Sequence, residues 1–188
     1  MNSRTLHLFT LDSPYELAYP EEFADVGLDS PATAILTDFR AHPPLTLYLD
    51  SGIEDARALL ANGHTSVVAV VDRDEHFRGL IAHHHLTDEA IMRRVGQGQR
   101  RADLQVRDLM VQREALMALD HDSLARTSVG KLLKLLHQEG QPQVLVVDQC
   151  GQRIRGLLSA RDLAHRLRLP LTIEQQPSFM EIFTAVMH

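Results

Sequence analysis

The chain has 188 residues, of which 44% are hydrophobic, so it can bury a core and is too apolar for wholesale disorder. Its net charge of −6 argues against nonspecific binding to nucleic acid or to an anionic membrane, because both need a positive field. No apolar run reaches the length of a membrane span, and the single Cys150 cannot form an internal disulfide, so we expect a cytoplasmic protein.

The N-terminal part of the chain has a segment without recognisable motifs, and a helix is predicted after it. Residues 1–36 are expected to form turns that cover part of the surface. A helix should then run to Asn62, with Ser51 and Glu54 as a capping box at its start. Gly63 follows that helix, where a glycine commonly ends a helix in left-handed geometry.

Two β-branched runs predict strands that are buried on both faces, SVVAVV at residues 66–71 and QVLVV at residues 143–147. A polar turn and a second apolar run follow each of them, so each pair of strands should form a hairpin. Thr127 or Ser128 can cap a helix that ends near Gly140. The apolar residues of this helix lie on one stripe: Val129, Leu132, Leu133 and Leu136.

A repeated tripeptide shows that the chain contains an internal duplication. RGLIAHHHL at residues 78–86 and RGLLSARDL at residues 155–163 open with the same Arg-Gly-Leu. The preceding segments also match, since each has a Leu-Asp pair, a helix, a glycine and a buried strand. Each copy therefore reads strand, helix, strand, strand, helix, which predicts a duplicated α+β unit.

This order of elements, with Gly-Leu-Leu-Ser-x-x-Asp-Leu at the start of the last helix, resembles the cystathionine-β-synthase (CBS) domain. The resemblance covers about residues 37–168, including a lead-in before each copy at 37–47 and 106–111. It implies a tandem pair of β-α-β-β-α repeats that pack sheet against sheet about a pseudo-twofold axis. The implied organisation is an N-terminal extension at 1–36, repeat one at 37–94, a linker at 95–105, repeat two at 106–169 and a tail at 170–188.

The resemblance also implies an adenosyl ligand, such as AMP, ADP, ATP or S-adenosylmethionine, in a cleft between the repeats. Asp162 would accept hydrogen bonds from the ribose hydroxyls, and Ser159 would support the ribose or phosphate. Arg161 stands beside them and could reach a phosphate. The adenine would meet three further positions: Val144, Leu145 and Val111.

Two readings of the Ser-x-x-Asp motif stay open at this stage. Ser159 and Asp162 also fit a plain helix N-cap, which needs no ligand. The first copy has Ala82 and His85 at these positions, so we expect its equivalent site to be lost or changed. The alternative to a ligand sensor is therefore a degenerate pair that serves only dimerisation or protein interaction.

The sequence offers little support for a metal site or for catalysis. His83, His84 and His85 are adjacent, and neighbouring residues project in different directions, so we interpret them as solvent-facing or helix-start histidines without a bound metal. A metal-responsive protein that acts through these three residues is the remaining alternative. The sequence has no nucleophile elbow, phosphate loop or dinucleotide-binding motif, and we expect no enzyme. The arginine-containing linker at 92–105 is interpreted as a solvated connection rather than a nucleic-acid site.

The C-terminal tail predicts one more helix. Pro170 should end the last helix of the second copy. The segment PSFMEIFTAVMH then has an apolar side that would dock on its own domain or on a second subunit: Phe179, Ile182, Phe183 and Val186. Paired CBS modules usually form homodimers, so the resemblance implies a homodimer that senses an adenosyl ligand and signals to an unidentified protein target.

Overall fold

Two four-stranded sheets with their helices make up the fold, which is α+β as predicted. The computed structural model describes residues 26–63, 65–138, 142–148, 152–169 and 177–187. No helix within these ranges is long and apolar enough to cross a membrane. Gly140, Cys150 and Pro170 lie outside the described residues, as does most of the N-terminal extension.

The order of the elements confirms the duplicated unit. The strands are β1 (Thr37–Asp38), β2 (Thr46–Tyr48), β3 (Val67–Val71), β4 (Phe77–Ala82), β5 (Val111–Gln112), β6 (Ala118–Asp120), β7 (Gln143–Asp148) and β8 (Arg153–Ser159). The helices are α1 (Ile53–Asn62), α2 (Asp88–Gly96), α3 (Val106–Leu109), α4 (His121–Ala125), α5 (Val129–Leu136), α6 (Ala160–Arg166) and α7 (Phe179–Met187). The first copy is β2-α1-β3-β4-α2 and the second is β6-α5-β7-β8-α6, with the short α4 as an addition.

Each lead-in strand joins the sheet of the other copy. The first sheet has the order β2-β3-β4-β5 and the second has the order β1-β8-β7-β6. Thr37 of β1 pairs with Leu157 in the second sheet, and Val111 of β5 pairs with Leu80 in the first. The two structural halves therefore exchange their lead-ins, so each sheet contains strands from both repeats.

This exchange explains the glycine of the repeated Arg-Gly-Leu. A side chain at Gly156 would overlap the carbonyl oxygen of Thr37, and one at Gly79 would overlap that of Val111. The lead-in backbones thus approach the paired strands so closely that only glycine fits at these two positions. The duplicated tripeptide therefore marks the place in each sheet where the lead-in strand of the other copy pairs.

The two sheets pack face to face, as predicted. Residues of both sheets form one apolar cluster between them: Val67, Ala69, Leu80, Ala82, Leu145 and Leu157. The other face of each sheet packs on the helices of its own half. The tail helix α7 docks on the second half, where Phe179 and Ile182 are fully buried, so its predicted apolar stripe covers its own domain.

Local details at three helix ends differ from the sequence prediction. Helix α1 has Gly52 as its N-cap, without a side-chain cap, so Ser51 and Glu54 do not form a capping box. Gly63 has φ −86° and is not left-handed; its Cβ would instead lie 2.7 Å from the backbone oxygen of Leu59, which explains the glycine. Ser128 precedes α5 without a side-chain hydrogen bond, whereas the predicted apolar stripe of that helix is buried.

An ion pair holds the first lead-in against the second sheet. The carboxylate of Asp38 accepts hydrogen bonds from Arg155 Nε at 2.8 Å and Nη2 at 2.6 Å. The hydrogen bond from Arg155 holds the pKa of Asp38 below its ordinary value. The pair connects two segments that are distant along the chain, so it stabilises the strand exchange.

Replacing Asp38 by asparagine should lower the melting temperature at neutral pH by a few degrees. A carboxyl whose pKa is lowered by folding contributes stability above its ordinary pKa of about 3.9 and loses it as pH falls toward the folded pKa. The difference between wild type and Asp38→Asn should therefore close in acid, as measured by thermal unfolding across the pH range. Asp103→Asn, which removes an exposed pair with Arg100, is the control and should change little. A difference that is the same at every pH would contradict this role.

Candidate functional site

A cavity of about 710 Å³ lies at the seam between the two halves. This volume is in the range of small-molecule sites. Its apolar lining comes from both sheets, with Val67, Ala69 and Leu80 from the first and Leu157 from the second. A ligand in this cavity would therefore contact both copies at once.

The first lead-in forms a second wall. Strand β1 and the loop that follows it contribute Thr37, Phe39, His42, Pro43, Pro44 and Leu45. Thr65 and Ser66, which precede β3, add hydroxyl groups to this wall. The segment reaches the cavity because β1 is held in the second sheet before the chain returns to the first through β2.

Helix α6 provides the charged side of the cavity through Asp162, His165 and Arg166. Asp162 is partly buried, and its burial raises the pKa of the carboxyl despite the opposing effect of Arg166 and Arg161. A desolvated carboxylate of this kind gains from any hydroxyl donor that a ligand offers. Asp162, which the sequence analysis proposed as the acceptor for ribose hydroxyls, therefore lines the cavity.

Ser159 has a structural role in this arrangement. It is 3% exposed, and its Oγ accepts a hydrogen bond from the backbone N of Asp162 at 3.4 Å. The hydroxyl thus caps α6, as in the simpler interpretation of the motif, and is not part of the cavity lining. It positions the turn from which Asp162 projects.

The other four sequence-predicted positions lie apart from this lining. Arg161 is adjacent to Asp162 but does not line the cavity. Val144 faces the helices of the second half, whereas Leu145 faces the other sheet. Val111 lies on β5 in the first sheet, so the lead-in that meets Asp162 is the one containing Thr37.

Arg166 is one of the cavity residues that the sequence analysis did not predict. It lies four residues after Asp162, and helical geometry places such pairs on one face. Its guanidinium donates a hydrogen bond to the carbonyl of Ala34, which lies just before β1. The four-residue spacing from Asp162 is the sequence pattern that could have predicted Arg166 at the cavity.

The first copy arranges its equivalent residues differently. The backbone N of Ala82 donates to Nδ1 of His85 at 3.0 Å. Burial, and then the nearby His84, lower the pKa of His85 to about 4, so its ring is neutral near pH 7. His83, His84 and His85 start a 3₁₀ turn, and their positions correspond to the helix-start interpretation of the sequence.

One cluster with metal-ligand chemistry occurs among the described residues. Ligand atoms of Asp72, Asp74 and His76 lie within 4.8 Å of one another in the β3–β4 turn. The carboxylate of Asp72 already accepts hydrogen bonds from Arg78 and from the backbone N of Asp74 and His76. These contacts account for the cluster as part of the hairpin turn.

Comparison with known proteins identifies the duplicated unit. The sequence matches the family model of the CBS domain at residues 36–91 and again at residues 106–169. A search of curated proteins gave no sequence match. Similar solved structures include an uncharacterised conserved protein from Pyrococcus horikoshii, with 18% identity, a TM-score of 0.54 and coverage of 78% of this chain and 98% of that one.

Two further structures share the fold at similarly low identity. CBSX2 in complex with AMP is 16% identical with a TM-score of 0.51, covering 72% of this chain and 94% of that one. The CBS domain of a bacterial CNNM/CorC family Mg2+ transporter is 19% identical with a TM-score of 0.51, covering 77% and 79%. At these identities the likeness is one of fold.

Proposed function

Because this chain belongs to the CBS-domain family and carries the domain twice, we propose that it is a noncatalytic regulatory module that binds an adenosyl ligand at its seam. AMP, ADP, ATP and S-adenosylmethionine are the ligands of this class. The observation that carries the proposal is the Asp162 carboxyl, which lies in the wall of a cavity with an apolar lining from both halves. CBSX2, which shares the fold, was solved with AMP.

The lining suits the parts of such a ligand. A flat purine would pack on the apolar residues, and the ribose hydroxyls would donate hydrogen bonds to Asp162. His42, His165 and Arg166 could face a phosphate, for which a guanidinium is well suited. The base, the ribose and the phosphate of the ligand would therefore each contact residues of suitable chemistry.

The position of the cavity supports a regulatory role. A ligand there would contact both sheets and the lead-in segment that crosses between them. Ligand binding shifts a conformational equilibrium only when affinity differs between the two states, and a seam between two halves provides such a difference if they move. We propose that the signal passes to a separate protein target and that the module acts as a homodimer.

Titration of untagged protein with AMP, ADP, ATP and S-adenosylmethionine should reveal one adenosyl site per chain. A ligand that binds only the folded state stabilises it by about 2.7 kcal/mol at a hundredfold excess over its Kd, which a thermal-shift assay detects. Calorimetry then gives the affinity and the stoichiometry.

Matched ligands provide the control for this titration. The 2′,3′-dideoxy analogue of the nucleotide that binds keeps the base and phosphate but lacks the two hydroxyls. It should bind at least tenfold more weakly, because the buried carboxylate loses its charge-assisted hydrogen bonds. If no ligand of the class binds at millimolar concentration, the proposal fails. The alternative function, a CBS pair that serves only dimerisation or protein interaction, would then apply.

A further inference from the structure

A more open cavity of about 420 Å³ lies where the β3–β4 hairpin meets the start of β8. We call it the hairpin groove, and its lining residues are His76, Phe77, Arg78, Arg113, Gln152 and Ile154. Strand β4 starts at Phe77 and β8 starts at Arg153, whereas His85 and Asp162 follow the far ends of these two strands. The hairpin groove is therefore at the opposite end of the sheets from the cavity that Asp162 lines, which is called the adenosyl cavity below, and from the equivalent turn of the first copy.

The lining of the hairpin groove combines basic side chains with an apolar floor and contains no carboxylate. Arg78 and Arg113 contribute guanidinium groups, and His76 contributes an imidazole; all three side chains are at least partly exposed. Phe77 and Ile154 are half-buried and pack against the apolar cluster between the sheets. This combination suits a ligand that carries an anionic group on an apolar body.

The pairing of β4 with β5 brings the two guanidinium groups side by side. Gly79 pairs with Gln112, and the next step of this register places Arg113 opposite Arg78, where β4 contacts the turn that follows β5. Like charges in directly opposite positions destabilise a sheet. An anion bound between the two guanidinium groups would remove this repulsion and accept hydrogen bonds from both.

Each of these arginines is held by a carboxylate and keeps further N–H groups for a ligand. Asp72 accepts a hydrogen bond from Nε of Arg78 at 2.9 Å, and Glu114 accepts from Nε and Nη2 of Arg113 at 3.1 and 2.7 Å. A guanidinium has five N–H groups, and no described residue accepts a hydrogen bond from Nη1 of either arginine. The carboxylates therefore orient the two side chains without saturating them.

The second sheet shows an acid that the first sheet lacks. Arg155 occupies the place of Arg78 in the repeated Arg-Gly-Leu, and it forms the two-hydrogen-bond pair with Asp38. Asp38 and Gln112 hold equivalent places, because each pairs with the glycine of an Arg-Gly-Leu. An amide thus replaces the lead-in carboxylate in the first sheet, and the residue that follows it, Arg113, adds a positive charge.

We propose that the hairpin groove binds an organic phosphate monoester. Its phosphate accepts hydrogen bonds from Arg78, Arg113 and His76, and its organic part packs on Phe77 and Ile154. A phosphate carries about two negative charges and three terminal oxygens, so it matches two guanidinium groups and an imidazole better than a carboxylate does. This site goes beyond the adenosyl function and shares no residue with the adenosyl cavity.

Titration with phenyl phosphate, monitored by ¹H–¹⁵N NMR at constant pH and ionic strength, tests the proposal. The backbone amides of residues 76–78 and 111–114 should shift saturably. Inorganic phosphate should bind more weakly, because it lacks the body that packs on the apolar floor. The proposal is overturned if these amides show no saturable shift up to about 50 mM phenyl phosphate, well above a millimolar Kd. Equal affinity for the two compounds would also contradict it.

Replacing Arg113 by glutamine should weaken phenyl phosphate binding by about tenfold, because one of the two guanidinium groups is lost. Arg100→Gln is the matched control. Arg100 is an exposed arginine that pairs with Asp103 at 2.7 Å, the same distance as between Arg113 and Glu114, and it does not line the groove. Unchanged affinity in Arg113→Gln, or an equal loss in both variants, would remove the site from this groove.

Replacing Gln112 by aspartate places in the first sheet the acid that Asp38 provides in the second. The new carboxylate should neutralise Arg78 and abolish phenyl phosphate binding. Gln112→Asn keeps a neutral amide and should retain binding. Thermal unfolding of both variants checks that they are folded. Wild-type affinity in folded Gln112→Asp would show that the positive charge of this edge does not hold the ligand.

An AMP titration of the same samples separates this proposal from the adenosyl function. Arg113→Gln should leave the response of residues around Asp162 to AMP unchanged, because the adenosyl cavity does not contain Arg113. Phenyl phosphate binding without AMP binding would remove the adenosyl function alone. Phenyl phosphate shifts that are confined to residues 37–45 and 162–166 would place the ligand in the adenosyl cavity and overturn the hairpin-groove site.

Discussion

Replacing Gly156 by alanine should displace strand β1 from the second sheet and lower the free energy of unfolding by about 3 kcal/mol. The added Cβ would overlap the carbonyl oxygen of Thr37 and lie 2.8 Å from Leu36 Cδ1. A backbone carbonyl cannot rotate away as a side chain can, so the strand itself must move. Since Thr37 and Phe39 line the cavity, adenosyl binding should weaken together with stability.

Chemical denaturation measures the stability, and hydrogen exchange at residues 31–40 reports whether the lead-in remains docked. Gly96→Ala in α2 is the control, because its Cβ would meet nothing within 4 Å. That substitution should raise stability by about 0.5–1 kcal/mol, since alanine favours a helix over glycine. Wild-type stability and protection in Gly156→Ala would show that the lead-in does not cross the sheet at this glycine.

Replacing Asp162 by asparagine should weaken binding of the adenosyl ligand by about tenfold to a hundredfold, which corresponds to the 1.5–3 kcal/mol of a hydrogen bond to a charged group. The amide keeps the size of the side chain but removes the charge and one acceptor oxygen. Calorimetric titration of the variant with the ligand that binds wild type most tightly measures the loss.

The same substitution should leave the unliganded protein as stable as wild type or more stable at neutral pH. Burial raises the pKa of Asp162, so the folded state takes up the proton more readily than the unfolded state. Such a carboxyl costs stability above its ordinary pKa, and the cost disappears as pH falls below it. The advantage of Asp162→Asn should therefore vanish in acid.

Asp122 offers a matched control for Asp162. It lies in the first turn of α4, in the same half of the molecule, and its side chain is 77% exposed. Asp122→Asn should leave the ligand affinity unchanged. Unchanged affinity in Asp162→Asn, or an equal loss in both variants, would remove the carboxylate from the binding site.

The sequence was most informative where the signals are local. Helical stripes, β-branched runs and the Ser-x-x-Asp cap each depend on residues a few positions apart, and the structure has α5, β3, β7 and α6 where these patterns predicted them. Comparison of the two copies then identified Asp162 and the altered His85. These features needed no knowledge of which strands pair.

The composition of the cavity depended on pairing between distant segments. Strands β1 and β5 are two residues long and carry no local pattern, so the sequence did not reveal that each joins the sheet of the other copy. This exchange brings Thr37 and Phe39, instead of Val111, to the cavity that Asp162 lines. It also explains Gly79 and Gly156, because a side chain at either position would overlap the backbone of the lead-in strand that pairs there.

By itself, then, the sequence determined the duplicated α+β unit and the one copy that retains a hydroxyl and an acid, because helix periodicity and capping are properties of neighbouring residues. The tertiary structure alone decided that Ser159 caps while Asp162 lines the cavity, that Arg166 joins it, and that Arg113 lies opposite Arg78 in the hairpin groove. Those outcomes follow from sheet pairing and from the packing of two halves, which are contacts between residues far apart in the chain.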